Sequence, residues 1–386
     1  MREKPRFRIG AGGIGQEVID LTDTGPVPQK SSEELRELRS KEEFFPDAQE
    51  RFENTLEEHG YEPVRELENG YQYPTLDEWV ALKIERGEGW ARAYPTFIRG
   101  KETGEMYFAK VRIKPKERQI GRGFAGEADV LDNMKGLPAP RLIEYIPEDE
   151  HGKRLEMLVL EAIKFSEGSV LMPQEWTPAT AQNAVRTMKE MEKTSPDALP
   201  EHFFEEPSET FTSLLERTRY AQNNPSMQTV LEAVARQYEE YKQQVFVHGD
   251  MWPKNVIVGL DNDDPSIKLV DWELAGLGYK GQDAGRLWWG ICANNQIHSE
   301  ASYGFLRAYL EELATEEQTA RRAELQFGVA YEVLWRLEDG KIAILNNEEA
   351  SEYEIARART ELESIYKQAY SMLEMIKNTA PTDTRF

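Results

Sequence analysis

VFVHGDMWPKNVIVGLDNDDPSIKLVDWE, residues 245–273, carries the clearest structural pattern in this chain. Two apolar runs, NVIVGL and SIKLVD, flank the polar turn DNDDP, as in a β-hairpin. The start of one hairpin strand lies beside the end of the other, so Asn255 and Asp271 are expected to meet at its open end. A further strand, VFV, leads into the tight loop that carries Asp250.

The polar residues of this stretch are suited to phosphoryl transfer. That reaction needs a divalent metal held by oxygen ligands, a cation on the phosphates and a carboxylate that acts on the acceptor hydroxyl. The amide of Asn255 and the carboxylate of Asp271 are the hard oxygen donors that Mg²⁺ prefers, and Mg²⁺ takes few protein ligands. Asp250 is then the carboxylate that acts on the acceptor.

The motif HGDMWPKN followed by DWE resembles the catalytic and metal-binding loops of the aminoglycoside phosphotransferase and choline kinase family, which has a protein-kinase-like fold. The resemblance implies that Asp250 is the catalytic base. It also implies that Asn255 and Asp271 ligate Mg²⁺ beside ATP, and that His248 and Gly249 shape the loop. DWE lacks the glycine of the protein-kinase DFG motif, which favours the small-molecule branch of the fold.

A lysine and a glutamate upstream fit the same resemblance. MYFAKVRI predicts a strand that contains Lys110, and Glu127 lies on the apolar stripe of the helix predicted after it. The resemblance implies that Lys110 binds the phosphates of ATP and that Glu127 pairs with it. By composition Arg112 and Lys114, on the same face of the strand, are interchangeable with Lys110, so only the family position selects it.

The resemblance also implies further nucleotide contacts. Gly87 and Gly89, in the loop RGEGWARAY, stand near the glycine-rich loop of protein kinases without its full pattern. Adenine is expected against the connection after the strand LEMLVLEAI. The residues of that connection are Leu160, Glu161, Ala162 and Ile163.

The pattern along the chain predicts an α+β fold of bilobal, protein-kinase-like type. Residues 1–75 are expected to be an N-terminal extension with short helices, one of them in DAQERFENTLEEHG. Residues 76–163 should form a small lobe with a five-stranded antiparallel sheet, and residues 164–386 a large, mainly helical lobe with the catalytic and metal loops. The predicted strands are WVALKIER, ARAYPTFIRG, MYFAKVRI, RLIEYI and RLEMLVLEAI.

The last predicted helix has an apolar residue at every third or fourth position from Ile355 to Ile376. This repeat is compatible with a coiled-coil dimer. We expect instead a long helix that closes the core of the large lobe, and the oligomeric state stays open.

Composition limits the class of protein. The formal net charge is −23, which disfavours binding to nucleic acid and is compatible with cationic substrates, although an acidic surface also serves solubility. No apolar run is long enough to span a membrane, and no signal peptide is visible. The single cysteine, Cys292, fits a reducing compartment, so the expected location is the cytoplasm.

Two motifs are misleading. Gly10, Gly12 and Gly15 have GxGxxG spacing, but the helix after them is too short and no acidic residue follows a second strand, so a dinucleotide site is not expected. The turn DNDDP begins like a calcium-binding loop, but Ser266 and Trp272 occupy the positions where that loop needs glycine and glutamate.

The acceptor is the least determined part of the prediction. The helical region contains aromatic residues and acids: Trp288, Trp289, Tyr331, Glu332 and Trp335. They suit an amine-bearing acceptor such as an aminoglycoside or amino alcohol, and equally an ordinary core, so sugars and other alcohols remain open. The prediction is an ATP-dependent kinase of a small hydroxyl compound; the alternative is a catalytically silent nucleotide-binding protein with this fold.

Overall fold

The computed structural model shows a mixed α+β chain in two compact units. Its described residues are 8–9, 19–20, 44–45, 47–66, 72–85, 93–114, 123–134, 136–149, 153–163, 165–170, 176–194, 216, 225–261, 264–310, 315–338 and 351–378. Unit 1 comprises Met1–Val170 and Lys254–Leu274, and unit 2 comprises Leu171–Pro253 and Ala275–Phe386. The glycines 10, 12, 15, 87 and 89 lie outside the described residues.

The elements follow one another in chain order. The helices are α1 (Ala48–Glu58), α2 (Leu76–Glu85), α3 (Gly123–Asn133), α4 (Pro178–Met191), α5 (Pro225–Tyr238), α6 (Gln282–Ile291), α7 (Glu300–Leu310), α8 (Thr315–Glu338) and α9 (Glu352–Asn378). The strands are β1 (Arg8–Ile9), β2 (Ile19–Asp20), β3 (Tyr61–Pro63), β4 (Ala93–Gly100), β5 (Met106–Arg112), β6 (Leu142–Ile146), β7 (Met157–Glu161), β8 (Phe165–Val170), β9 (Gln244–Val247), β10 (Val256–Asp261), β11 (Asp264–Leu269) and β12 (Gly276–Tyr279). Short 3₁₀ turns span Pro253–Asn255, Trp272–Leu274 and Ala293–His298.

Unit 1 is built on a five-stranded antiparallel sheet in the order β3-β4-β5-β7-β6. Alternate residues of a strand face opposite sides of a sheet, and β7 shows this clearly. Met157 and Val159 belong to the core shared with α1 and α2, whereas Leu158 and Leu160 pack with α3. The sheet is therefore covered on both faces, and the predicted α+β class is confirmed.

One predicted strand is wrong. WVALKIER lies in α2, where Leu76, Trp79, Val80 and Lys83 are all buried at helical spacing. A capping box at Thr75 starts this helix, because Thr75 and Glu78 exchange side-chain-to-backbone hydrogen bonds of 2.7 and 3.1 Å. The sheet still has five strands because β3, which was not predicted, takes the edge position beside β4.

Part of the predicted extension is integral to the core of unit 1. The helix expected in DAQERFENTLEEHG is α1, with Phe52 and Leu56 buried, and Gly60 follows its end at a φ of 73°. Arg51, also buried, donates to Glu148 Oε1 at 2.8 Å. The sequence also predicts a short helix after the capping residue Ser31, and most of that segment lies outside the described residues.

The predicted hairpin forms within unit 1. β10 pairs antiparallel with β11 from Val256 opposite Leu269 to Asp261 opposite Asp264. An additional strand, β8, pairs with the other edge of β10. The predicted division had placed this hairpin with the helical residues, whereas here Lys254–Leu274 groups with the five-stranded sheet.

Unit 2 is mainly helical, and two glycines let its central helices approach closely. A Cβ at Gly285 of α6 would lie 2.1 Å from the carbonyl carbon of Gly328 in α8, and a Cβ at Gly328 would lie 1.9 Å from the carbonyl oxygen of Gly281. Only glycine permits this contact between α6 and α8. Arg286, one residue after Gly285, thereby comes within hydrogen-bonding reach of Glu332, which lies one turn after Gly328.

The last helix, α9, packs within unit 2. Ala358, Leu362, Met372 and Ile376 of its apolar stripe are buried. The carbonyl of Ile376 accepts a 3.1 Å hydrogen bond from Arg322 of α8. The stripe is therefore used inside the chain, as expected for a core helix. Within the described part of the chain, no helix is both long and apolar enough to cross a membrane.

Candidate active site

Lys110 of unit 1 is held between two buried carboxylates. It pairs across the sheet with Leu158, so its side chain lies on the face covered by α3. Its Nζ donates to Glu127 Oε2 at 2.6 Å and to Asp271 Oδ1 at 2.7 Å. The expected pair of Lys110 and Glu127 is thus present, and Asp271, two residues after β11, joins it.

Burial and opposing charges shift the pKa values of Glu127 and Lys110. Burial raises the pKa of Glu127 above its ordinary range, although Lys110 opposes the rise. Burial alone would lower the pKa of Lys110, but the negative charges of Asp271 and Glu127 outweigh it and raise that pKa above its ordinary value. Lys110 is therefore a permanent cation at neutral pH.

Asp271 lies in a strained backbone conformation. Its φ of 73° falls in the left-handed region, where a residue other than glycine costs about 1–3 kcal/mol. Two hydrogen bonds of Trp272 hold the turn: its backbone N–H donates to Glu127 Oε1 at 3.2 Å, and its indole N–H donates to the Leu269 carbonyl at 2.8 Å. Glu127 thus binds Lys110 with one oxygen and the Asp271 turn with the other.

The hairpin brings the backbones of Asn255 and Asp271 to the same end. The N–H of Val270 donates to the carbonyl of Asn255 at 3.0 Å, next to the last pair of the hairpin. Asn255 is fully buried, and Asp271 is nearly so. One amide and one carboxylate fit Mg²⁺, which leaves its remaining positions to phosphates and water.

Two neighbouring cations, Arg112 at the end of β5 and Lys114 just after it, have different partners from Lys110. Arg112 pairs with the buried carboxylate Glu156, and Lys114 lies 4.2 Å from the ring centre of Phe44. Lys110 is the one whose ion pair joins it to Glu127 and Asp271. Packing therefore distinguishes three positions that composition could not.

The predicted adenine connection lies at the end of β7. Leu160 is buried, Glu161 is exposed, and Ala162 and Ile163 are half-buried. The N–H of Glu161 donates to the carbonyl of Arg141 at 2.9 Å. Nucleotide contacts of these four residues stay a prediction.

In unit 2, Asp283 braces the loop that carries Asp250. Its carboxylate accepts the backbone N–H groups of His248 at 2.7 Å and of Gly249 at 3.0 Å. Gly249 has a φ of 80°, which glycine adopts without strain, and the N–H of Asp250 lies 3.3 Å from His248 Nδ1. Asp283 therefore holds the two backbone N–H groups that come directly before Asp250.

The buried position of Asp283 shifts its pKa. Burial raises its pKa from 3.8 to about 6, although the two backbone N–H groups and nearby Arg286 favour the charged form. The carboxylate that shapes the loop therefore changes its charge in the mildly acidic range.

Asp250 is bound by an arginine that the sequence analysis did not select. Arg286 of α6 donates through Nη1 to Asp250 Oδ1 at 3.1 Å and to the carbonyl of Gly249, and through Nε to Glu332 Oε2 at 2.7 Å. The available sequence signal was that Arg286 is the single charged residue in the run AGRLWWGI.

The residues suggested for the acceptor fall into two groups. Trp288, Trp289 and Tyr331 are buried parts of the helical core. Glu332 is also buried, and both of its oxygens are paired with arginines. Trp335 is half-buried. An ammonium group would have to displace a guanidinium to bind Glu332.

Comparison with known proteins places the sequence in one family. The model of the phosphotransferase enzyme family, APH, matches residues 86–325, which is more than half of the chain. Among curated proteins, none has a sequence that matches this chain.

Similar solved structures include three small-molecule kinases. An ethanolamine kinase from Plasmodium vivax has 12% identity and a TM-score of 0.48, with 89% of this chain and 97% of that chain covered. An aminoglycoside phosphotransferase from Alicyclobacillus acidocaldarius has 12% identity and a TM-score of 0.48, covering 74% and 91%. A choline kinase from Cryptosporidium parvum has 14% identity and a TM-score of 0.47, covering 74% and 88%.

Proposed function

The chain belongs to the phosphotransferase enzyme family, and from this premise we propose that it transfers the γ-phosphate of ATP to a hydroxyl group of a small molecule. Family membership confirms the predicted enzyme class, a phosphotransferase. The nucleotide, the metal and the role of each residue are part of the proposal.

The observation that carries the proposal is the cluster of Lys110, Glu127 and Asp271. A lysine placed by a strand, a glutamate placed by a helix and an aspartate placed by a hairpin meet within 2.6–2.7 Å. A buried cluster with more acid than base is costly to form, and a strained Asp271 adds to that cost. Such an arrangement is expected where phosphates and a metal are bound rather than in an ordinary core.

Each member of the cluster has a proposed role. Lys110 binds phosphate oxygens of ATP, and Glu127 holds both Lys110 and the backbone of the Asp271 turn in place. Asn255 and Asp271 would hold Mg²⁺, which when bound supplies positive charge to the β- and γ-phosphates. Lys110 then exchanges its contact with Asp271 for the nucleotide while it keeps its contact with Glu127.

Asp250 is proposed to orient the acceptor hydroxyl and to take its proton. The oxygen of the acceptor bonds to the γ-phosphorus, the bond from that phosphorus to the β,γ-bridging oxygen breaks, and ADP leaves. The Asp283 brace of His248 and Gly249 supports this role, because it fixes the backbone of the two residues that precede Asp250.

The acceptor is proposed to be a small alcohol. The family premise supports this class, whereas the paired state of Glu332 gives no support to a required ammonium group. The acceptor panel should therefore hold amino alcohols, aminoglycosides, neutral sugars and hydroxy acids in equal weight.

A transfer assay tests the proposal. ADP release from MgATP is measured with each alcohol, and Asp250→Asn is predicted to lower kcat about 100- to 10,000-fold, the usual contribution of a general base. Asp132→Asn, an exposed site on α3, is the control and should match the wild type. ATP binding with no transfer to any alcohol would favour the silent-protein alternative, and a fully active Asp250→Asn would refute the assignment of the base.

A further inference from the structure

In unit 2, side-chain contacts and one backbone hydrogen bond form a closed ring that includes Asp250. Arg286 binds Asp250 and Glu332, and Arg336 Nη2 binds the other oxygen of Glu332 at 2.8 Å. The guanidinium of Arg336 lies 4.6 Å from the ring centre of Trp252. The N–H of Trp252 donates to the carbonyl of Asp250 at 2.7 Å, which closes the ring.

Three elements contribute to this ring. Asp250 and Trp252 belong to the loop after β9, Arg286 belongs to α6, and Glu332 and Arg336 lie one turn apart on α8. The glycine contact between α6 and α8 makes the approach of Arg286 to Glu332 possible. The loop is therefore tied to the helical core at two points, one on each side of the Asp250 carbonyl.

The charges in the ring are arranged around Arg286. Glu332 is buried, which by itself raises its pKa, but Arg286 and Arg336 outweigh burial and lower that pKa below its ordinary value. The charge pair of Arg286 and Glu332 links α6 to α8. The additional hydrogen bonds that Arg286 donates to Gly249 and Asp250 link α6 to the loop after β9.

We propose that Arg286 is a positioning residue for the reaction, because its guanidinium fixes the direction of the Asp250 carboxylate against Glu332. This inference rests on the proposed function of Asp250. The planar guanidinium reaches Asp250, Gly249 and Glu332 at fixed angles from one side chain. A lysine in its place has one nitrogen and cannot reproduce the fork.

A misplaced base slows the chemical step more than it weakens nucleotide binding. A displacement of about 1 Å in an active site can cost about 100-fold in rate. Arg286→Ala is therefore expected to lower kcat for ATP turnover about 100-fold and to leave the KM for ATP unchanged. Arg286→Lys should recover only part of the rate.

Arg321 offers a matched control on α8. Its Nη1 lies 2.8 Å from Glu192 and 3.2 Å from Glu324, and its guanidinium lies 5.3 Å from the ring centre of Tyr309. It is a partly buried arginine with two carboxylates and an aromatic ring, like Arg286, but none of its recorded contacts is with Asp250. Arg321→Ala therefore measures how much activity and stability are lost when a comparable arginine network away from Asp250 is removed.

The experiment measures kcat and KM for MgATP, thermal unfolding and rescue by millimolar ethylguanidine in the full chain, with the best alcohol of the panel or with water as acceptor. We expect Arg286→Ala to lose kcat and to regain part of it with ethylguanidine, while Arg321→Ala keeps kcat per folded molecule. Equal kcat losses in the two variants, or no rescue, would overturn the inference. Asp250→Asn is measured in parallel to distinguish a wrong role for Arg286 from a wrong role for Asp250. Full activity of Asp250→Asn would refute the proposed function itself.

Discussion

At the scale of single residues, the charged groups beside the proposed phosphate site are interdependent. Lys110 compensates two buried carboxylates, Glu127 and Asp271, and Glu127 also holds the turn that carries Asp271. Removing the cation leaves two acids in the core without their shared partner. The residues of the proposed phosphate site therefore contribute to stability as well.

Lys110→Met is expected to destabilise the protein by about 3–5 kcal/mol, the usual cost of breaking a buried ion pair from one side. It should also raise the KM for ATP, because the phosphates lose their cation. Urea unfolding and ATP kinetics measure the two effects. Lys114→Met, which removes a lysine of the same 9% exposure four residues further along the chain, is the control. An unchanged KM in Lys110→Met would contradict the phosphate-binding role.

Asp283 gives a prediction about pH. Its pKa is about 6 in the folded chain and 3.8 by the ordinary value, so the folded state holds this proton more tightly. The stabilising contribution is present below pH 3.8 and is lost as the pH rises to about 6. The loss amounts to about 3 kcal/mol.

The pH prediction is tested by the difference in unfolding free energy between the wild type and Asp283→Asn. This difference should shift by about 2 kcal/mol against the wild type between pH 4 and 6 and level off about one pH unit above the folded pKa of about 6. The contributions of other carboxylates cancel in the difference. Parallel stability curves for the two proteins would show that Asp283 titrates normally.

At the scale of elements, the strands and helices with strong local signals were predictable. β5, β10 and β11 have clear apolar patterns, and the pairing of β10 with β11 as a hairpin was predicted from the turn between them. In α2 the apolar run was assigned to a strand, although Leu76, Trp79, Val80 and Lys83 follow the helical period after the capping residue Thr75. The helix signals were present in that segment, but its β-branched and aromatic residues led to the prediction of a strand.

Other elements depend on contacts that a local pattern does not contain. β3 has three residues and contains a proline, and it is a strand only because β4 offers it an edge. β8 pairs with β10 across a long stretch of sequence. The contact of Arg286 with Asp250 likewise requires α6 to lie against α8 at a distance set by their glycines.

The contact between α6 and α8 gives the prediction at this scale. Gly285→Ala places a methyl group 2.1 Å from the backbone of Gly328, so the helices must separate. We expect a loss of about 1–3 kcal/mol in stability. Because α6 carries Asp283 and Arg286, kcat per folded molecule should fall as well. A variant with wild-type thermal stability would show that the helices are not in close contact at this point.

At the scale of the whole molecule, the residues proposed for the two parts of the reaction belong to different units. Unit 1 contains the residues proposed for phosphate and metal, Lys110, Asn255 and Asp271. Unit 2 contains Asp250 with its brace and its arginine. The chain passes from one unit to the other between Pro253 and Lys254, inside the motif HGDMWPKN, so the motif supplies residues to both parts of the proposed reaction.

The most direct measurement follows the label of γ-³²P-ATP in the presence of Mg²⁺ and the panel of alcohols. The account predicts that the label appears in a phosphate ester of one alcohol, with one ADP formed for each ester, and that Asp250→Asn loses this transfer while it still binds ATP. Label that remains in ATP, or that reaches only inorganic phosphate with every alcohol, would contradict the proposed transfer reaction.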